Sequence, residues 1–533
     1  MVTPVVVDPG AATTPEGVLD PDRVREWCRA VVTSPGAGTR VVLRPATGSR
    51  LAHVPVSAPD DVDSAVMRAR LAGRLWARTP VAQRTAVLRR FHDLLLERCT
   101  QVLDLLQLET GKSRSAAYEE VADVAQSARY YAHRARRHLA ARHPRGLVPG
   151  LTRVRVHRRP VGVVGVVAPF NYPLSLSVGD AVPALAAGNG VVVKPDPQTA
   201  LSLLWAVSLA QEAGLPEGLV QVVVGDGDVG ARLAERADHV VFTGSSAVGR
   251  EVGATAGRRL VGATLELGGK NAAYVTEDVD PAVVAEGLVR ACFSGTGQLC
   301  VSVERLVLHE SVADEVLREL TVRVRALRLG GDLDYRADVG CLTGPHHLER
   351  VQRHVDQALS LGARVVTGAV HRPDVGPWFY EPTILADVPA GADVLAEETF
   401  GPVVTVHRVT DDVEAMQVVA DTEFGLAVAL WCRDVRRARR LAAAIDVGIV
   451  TVNDGYAAAW GSPGAPVGGV KASGLGRRHG REAVEAVTWT QTVAVQHGTF
   501  HGWGLARLYR EPGHRWTAGF TRALRVMKAV RMP

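Results

Sequence analysis

No apolar stretch in this chain is long enough to cross a bilayer. The longest, around Val161–Ala168, falls far short of the roughly 20 residues that a spanning helix needs. The first twenty residues hold no lysine or arginine and no sustained apolar run, so they do not read as a secretion signal. Cysteine is sparse. Cys28, Cys99, Cys292, Cys300, Cys341 and Cys432 are scattered without C-x-x-C spacing or paired histidines, which argues against a zinc site and a disulfide framework and fits a reducing cytoplasm. Excess charge is lacking too: a formal +5 over 533 residues gives no reason to expect a nucleic-acid partner. Lysine is nearly absent beside abundant arginine. What remains, 47% apolar and 22% charged residues, is the composition of a globular enzyme of two or three domains.

Residues 1–20, rich in Pro, Gly and Thr, read as a mobile arm. Val62–Ala77 and Ala82–Leu108 place apolar residues at three- and four-residue intervals and predict helices, with Asp60-Asp61 as a cap for the first. Residues 112–140 continue as a long helix whose charged face reads as solvated. Leu151–Arg159 alternates like an exposed strand. Val161–Val167, Gly190–Lys194, Val220–Val224 and His239–Phe242 then read as buried parallel strands, joined by helices over Ser177–Ala187, Thr199–Ala213 and Asp228–Ala237. That is a doubly wound α/β unit.

A second α/β unit follows Gly268. Its expected strands are Ala272–Val275, Arg305–Leu308, Ala363–Thr367, Val403–Val406 and Ala427–Trp431, separated by helices Pro281–Ser294, Ser311–Ala326 and His346–Leu361. Thr488–Val495 alternates again. Trp516–Met532 is a basic amphipathic helix, suited to lying on a membrane or to packing on its own subunit or a neighbour. Gly225–Gly230 matches G-x-G-x-x-G formally. The acidic residue expected about twenty positions later is missing, so at least part of this segment is a plain strand-to-helix turn.

Phe293–Cys300 is a Gly-rich segment that ends on a single thiol. Glycines let the main chain approach a ligand closely, so Cys300 is a nucleophile candidate; the alternative is a small buried hydrophobe. Thirty-four residues upstream, Glu266 stands beside a Gly-Gly turn. A cysteine and a carboxylate together suggest a thioester made and then hydrolysed. On its own, Glu266 could equally be a surface group or the partner of Lys270.

Pro160–Pro173, Phe242–Gly249, Leu265–Asn271, Phe293–Cys300, Glu397–Pro402 and Gly468–Arg477 occur in one order. Together they resemble the aldehyde dehydrogenase superfamily over roughly residues 25–497. In the details around Cys300 and Gly468–Arg477 they are similar to its bacterial succinate-semialdehyde dehydrogenase branch. The resemblance implies a nucleotide-binding domain over 21–140 and 160–267, a catalytic domain over 268–480, and oligomerisation strands over 141–159 and 481–496. Residues 497–533 form an extension outside the family core. It also implies a homodimer or homotetramer.

By the same resemblance Cys300 attacks the aldehyde, Asn171 and the Cys300 backbone N–H hold the oxyanion, and Glu266 activates water. Asn171 could otherwise serve an Asx turn before Pro173. The cofactor would lie on Phe170, Lys194, Asp196, Pro197, Gly227, Gly244, Ser245, Gly249 and Leu267, with Glu398 at the nicotinamide ribose and Phe400 beside the ring. Relatives that prefer NAD often carry Glu three residues after the strand-end Lys. Here Pro197 stands in that place, which implies NADP, with NAD also admitted; Asp196 is the reservation, if it turns inward.

Relatives that grip succinate semialdehyde with arginines carry them where this chain has Gly179 and Ser294. The loop Asn453–Val467 adds no Lys or Arg, so a substrate carboxylate would need another donor, Ser462 or a tail arginine. The readings left open are succinate-semialdehyde oxidation, oxidation of aromatic or medium-chain aldehydes, a CoA-acylating dehydrogenase, and a non-catalytic protein on this fold.

Overall fold

The computed structural model describes residues 19–146, 152–497 and 513–529. They divide into a large unit drawn from 1–138 and 160–487 and a small one drawn from 139–159 and 488–533. Residues 1–18 of the arm expected over 1–20, and most of the stretch between the last strand and the final helix, lie outside the described residues; the arm's end is not mobile, since Leu19 is buried and Asp20 caps helix Pro21–Cys28 by accepting from the Asp22 N–H.

In the large unit, β1 (Thr39–Arg44) and β2 (Ser49–Pro55) form an antiparallel hairpin. The strand expected before Pro160 is β3 (Thr152–Pro160). The first large sheet uses β4 (Val163–Val167), β5 (Gly190–Lys194), β6 (Val220–Val222), β7 (His239–Thr243) and β8 (Gly262–Glu266). These five run parallel in the order β8-β7-β4-β5-β6. Their valine runs are buried on both faces, as a helix-covered parallel sheet requires. On one face lies helix Pro59–Trp76, and two glycines set the distance: a Cβ on Gly190 would stand 2.1 Å from the Ala69 carbonyl oxygen.

The second sheet is built from β9 (Asn271–Val275), β10 (Val303–His309), β11 (Arg364–Thr367), β12 (Thr383–Ala386), β13 (Val403–Val409), β14 (Ala427–Trp431) and β15 (Ile449–Val452). Its order is β11-β12-β13-β10-β9-β14-β15, all parallel except β11 against β12. A short β16 (Gly474–Leu475) returns antiparallel to β8 in the first sheet, placing Gly474 opposite Glu266. In the small unit β17 (Thr488–Gln496) and β3 form a two-stranded sheet. Helix Gly513–Ala529 occupies the expected tail position, with Phe520 and Met527 partly buried and Leu524 and Val526 exposed.

Three local readings are corrected. Ala82–Leu108 is two helices, Val81–Glu97 and Cys99–Thr110, because Arg98 leaves helical geometry (φ −105°, ψ 24°). The first long helix starts at Pro59, not Val62, so its expected cap Asp61 lies inside the first turn and caps it from there, accepting from the Ala58 N–H at 2.7 Å. The helix expected over 112–140 is Arg114–His138, but its polar residues are not all solvated: Glu120 and Asp123 are buried.

No helix among the described residues is long and apolar enough to cross a membrane.

Candidate active site

Strand order in the first sheet reverses between β4 and β7, and such a reversal opens a crevice at the carboxyl ends of the strands. Phe170 and Asn171 follow β4, Lys194 ends β5, Gly244 and Ser245 follow β7, and Glu266 ends β8. From Glu266 the chain needs only Leu267–Lys270 to enter β9 of the second sheet. There the amino ends of β9, β10 and β13, three parallel neighbours, carry Asn271, Cys300 and the Glu398–Phe400 turn. The carboxyl ends of one sheet thus meet the amino ends of the other.

The loop before Cys300 is held in an unusual shape. Gly295, Thr296 and Gly297 have φ of 57°, 60° and 68°, and a Cβ on Gly297 would lie 2.1 Å from the Gly401 carbonyl oxygen. Glycine is therefore required at 297, while Thr296, like Phe400 (φ 55°) and His479 (φ 59°), bears left-handed strain near the site. Asn271 Nδ2 donates to the Cys300 carbonyl at 2.6 Å, and Asn171 Nδ2 donates to the Gln298 carbonyl at 2.9 Å. The Asn171 amide is so turned toward the cysteine loop, with one N–H still uncommitted. This displaces the Asx-turn reading.

Burial, reinforced by the Glu266 and Glu398 charges and opposed by Arg478, pushes the Cys300 thiol up to about 12. Burial also raises Glu266 to about 8, with Arg478 opposing and Asp180 adding to the rise. Glu266 Oε1 has no hydrogen-bond partner among the described residues. A carboxyl poised near neutral pH with a free oxygen suits a general base. Lys270 is not its partner: that ammonium pairs with buried Glu304, which also accepts from the Thr399 and Phe400 N–H groups.

The residues expected to hold the cofactor follow the same strand ends, and Phe170, Asp196 and Pro197 share one cleft. The Lys194 ammonium is buried and has no hydrogen-bond partner among the described residues; burial lowers it, against the pull of Asp196, Asp226 and Asp228. Asp196 spends one oxygen on the Gln198 N–H, capping the turn Pro197–Thr199. Gly227 opens helix Gly227–Arg236, and Ser245 caps helix Ser246–Arg259 by accepting from Val248 N. Gly249 is packed under Leu267, whose Cδ2 would be 2.3 Å from a Cβ there. Glu398 accepts from Gly269 N at 3.0 Å and is raised to about 8 by burial; Phe400 stands edge-on to Phe170, with centroids 5.9 Å apart. An unpaired ammonium at a strand end, a helix N-terminus beside it and a free carboxylate oxygen fit a dinucleotide.

Comparison with protein families matches residues 32–493 to the aldehyde dehydrogenase family. The chain belongs to this family. A relative from Mycolicibacterium smegmatis, named "Putative succinate-semialdehyde dehydrogenase" for NADP(+), is 46% identical over 450 residues, covering 84% of this chain and 87% of its own. The solved succinate-semialdehyde dehydrogenase from Burkholderia pseudomallei superposes with a TM-score of 0.83 at 33% identity, covering 87% of this chain and 96% of that one. An aldehyde dehydrogenase from Mycobacterium tuberculosis, solved with NAD+, gives 0.82 at 35% identity over 86% and 95%.

Around the core of this aldehyde dehydrogenase stand charged residues that sequence reasoning missed. Lys112 pairs with Glu120 (side chains 4% and 0% exposed) and donates to the Asn171 carbonyl at 2.6 Å. Glu120 accepts in turn from Leu174 and Ser175 N–H groups. Arg478, buried, donates to Asp180 at 2.6 Å, while its Nη2 has no partner among the described residues. At the positions of the missing arginines, the Ser294 hydroxyl faces Glu119, which also accepts from Tyr172, Tyr456 and Arg290. A Cβ on Gly179 would stand 4.0 Å from Arg478 Nη2. Ser462 is no donor for a substrate, since its hydroxyl goes to the Ala458 carbonyl. The one sequence signal for Lys112 was the scarcity of lysine itself: Lys112, Lys194 and Lys270 are all buried at or beside the site.

Proposed function

We propose that this aldehyde dehydrogenase oxidises succinate semialdehyde to succinate with NADP+, NAD+ serving as a second acceptor. The observation that carries the hydrolytic chemistry is the meeting, where two sheets cross, of Cys300, Asn171 and a Glu266 whose Oε1 has no partner among the described residues. The Cys300 thiol gives up its proton to solvent by way of ionised Glu266, and its sulfur adds to the aldehyde carbon. The oxyanion that forms takes the uncommitted Asn171 N–H and the Cys300 backbone N–H, each such donor worth about 3 kcal/mol. A nicotinamide held here would supply the hydride acceptor. Cys300 is left as a thioester, and Glu266 removes a proton from the water that cleaves it, regenerating the thiol. Lys194, Gly244 and Ser245 hold the nucleotide from the first sheet, Glu398 and Phe400 from the second.

The substrate reading rests on the names of the relatives and on Arg478. Its Nη2 stands beside Gly179, where the arginine-bearing relatives place their own cation, and can receive the carboxylate end. Glu266 favours water over CoA as the acyl acceptor. We assign homo-oligomerisation to the two-stranded sheet of the small unit, where one face of β17 exposes Trp489, Val493 and Val495. The six free thiols suit the cytoplasm. A dehydrogenase assay with succinate semialdehyde, with and without CoA and with each nucleotide, tests this function. CoA-dependent turnover, or none, would reject it.

A further inference from the structure

Beside the turn that holds Pro197 opens a cleft of about 320 Å³, with Arg40, Asp196, Pro197, Asp226, His346 and His347 among its walls. Gln198 fixes one wall. Its Oε1 accepts from Leu43 N at 3.1 Å and its Nε2 donates to Leu43 O at 2.8 Å, so β1 is held against the turn as if by a backbone pair. Three residues earlier on the same strand, Arg40 reaches the cleft with a side chain 52% exposed. Among the described residues its one hydrogen-bond partner is Asp226, at 3.1 Å. Arg40 is close enough that its charge is felt at Lys194, whose other charged neighbours are three carboxylates, Asp196, Asp226 and Asp228.

Replacing Glu by Pro at 197 removes a repulsion but supplies no attraction. A dianionic 2′-phosphate entering a cleft walled by Asp196 and Asp226 needs a cation, and the Arg40 guanidinium, in the same wall lining as Pro197, offers a fork of donors matched to phosphate. We propose that Arg40 binds the 2′-phosphate of NADP, giving up its contact with Asp226 to do so, and thereby sets nucleotide preference. This rests on the reading above that the adenosine ribose lies at Lys194 and Pro197. The Arg40–Asp226 pair is exposed and singly bonded, so its exchange for phosphate is inexpensive.

Titration calorimetry with 2′,5′-ADP and with 5′-AMP reads this directly, without turnover. Arg40→Ala is expected to weaken 2′,5′-ADP by about ten- to a hundredfold, the worth of one charge-assisted contact, with 5′-AMP within twofold. Arg40→Lys should fall between, keeping charge without the fork. Asp226→Asn should tighten 2′,5′-ADP. Unchanged 2′,5′-ADP affinity in Arg40→Ala, or equal loss of both ligands, would overturn the assignment. An unaltered enzyme that binds 2′,5′-ADP no better than 5′-AMP would instead overturn the NADP reading, and this assignment with it.

Discussion

Lys112 donates to the main-chain carbonyl of Asn171 at 2.6 Å while paired with buried Glu120, and its ammonium sits 3.8 Å from the Tyr172 ring centroid. The proposed oxyanion donor is thus held from behind by an ion pair on its own main-chain carbonyl. Lys112→Met leaves Glu120 buried and unpaired, which costs about 3–5 kcal/mol when it cannot be relieved. Lys112→Met/Glu120→Gln removes both charges and should recover much of that stability in urea melts. Its kcat should stay low, because the Asn171 carbonyl has lost its anchor. Recovery of both together would make the pair purely structural.

Cys300→Ala should abolish aldehyde oxidation and leave nucleotide binding intact, since it deletes the nucleophile and little volume. Cys292 is the control. It is buried in the apolar core of the second sheet, its thiol pushed far up by burial alone, and Cys292→Ala should keep most of the activity. Residual turnover above about a hundredth of wild type in Cys300→Ala would move the nucleophile elsewhere.

Glu266 is raised to about 8, so at neutral pH most molecules hold it protonated, and water activation needs the ionised form. Hydrolysis of the thioester should therefore rise as pH climbs through about 8 and level off above it. Glu266→Gln should give one burst of reduced nucleotide and then almost no steady state, with the rise through 8 gone. Steady-state turnover that is unchanged in this variant would remove Glu266 from the mechanism.

The buried sheets were legible because a strand covered on both faces reads as an unbroken valine run, as Gly190–Lys194 does to the residue. The hairpin Thr39–Pro55 was not, because Arg40, Arg44, Arg50 and His53 interrupt its alternation. Four-residue β12 and β15 are too short to carry a period. In the site, Cys300, Glu266 and Asn171 could be read from motifs. Their supports could not: Glu120 and Asp123 look like a solvated helix face until Lys112, in the turn before the helix, and Ser175, distant in sequence, are folded against them. Arg478 is one more arginine in an arginine-rich chain, and only its burial beside Gly179 marks it.

Pro197→Glu should shift preference toward NAD. A carboxylate at the ribose repels a 2′-phosphate but accepts hydrogen bonds from free hydroxyls. The ratio of kcat/KM for NADP to that for NAD is the readout, and strict NAD dependence of the unaltered enzyme would sink the idea.

On the proposed function, Arg478 is the cation for the carboxylate end of the substrate. Its guanidinium is held by Asp180 through Nε, lies 5.3 Å from the Trp460 ring centroid, and keeps Nη2 unpartnered beside Gly179. If that donor receives the carboxylate end, Arg478→Gln should lower kcat/KM for succinate semialdehyde by about ten- to a hundredfold, as loss of one charge-assisted hydrogen bond implies. Arg478 also opposes the rise of Glu266, so its removal should slow every aldehyde to some extent. The ratio between succinate semialdehyde and butanal separates the two effects, because butanal has no carboxylate to lose. With Ser294 facing Glu119 rather than offering a second cation, the unaltered enzyme should favour the acid by less than about a thousandfold, within reach of hexanal and benzaldehyde. A ratio that stays constant between Arg478→Gln and the unaltered enzyme would place the carboxylate on some other group and leave Arg478 the partner of Asp180 alone.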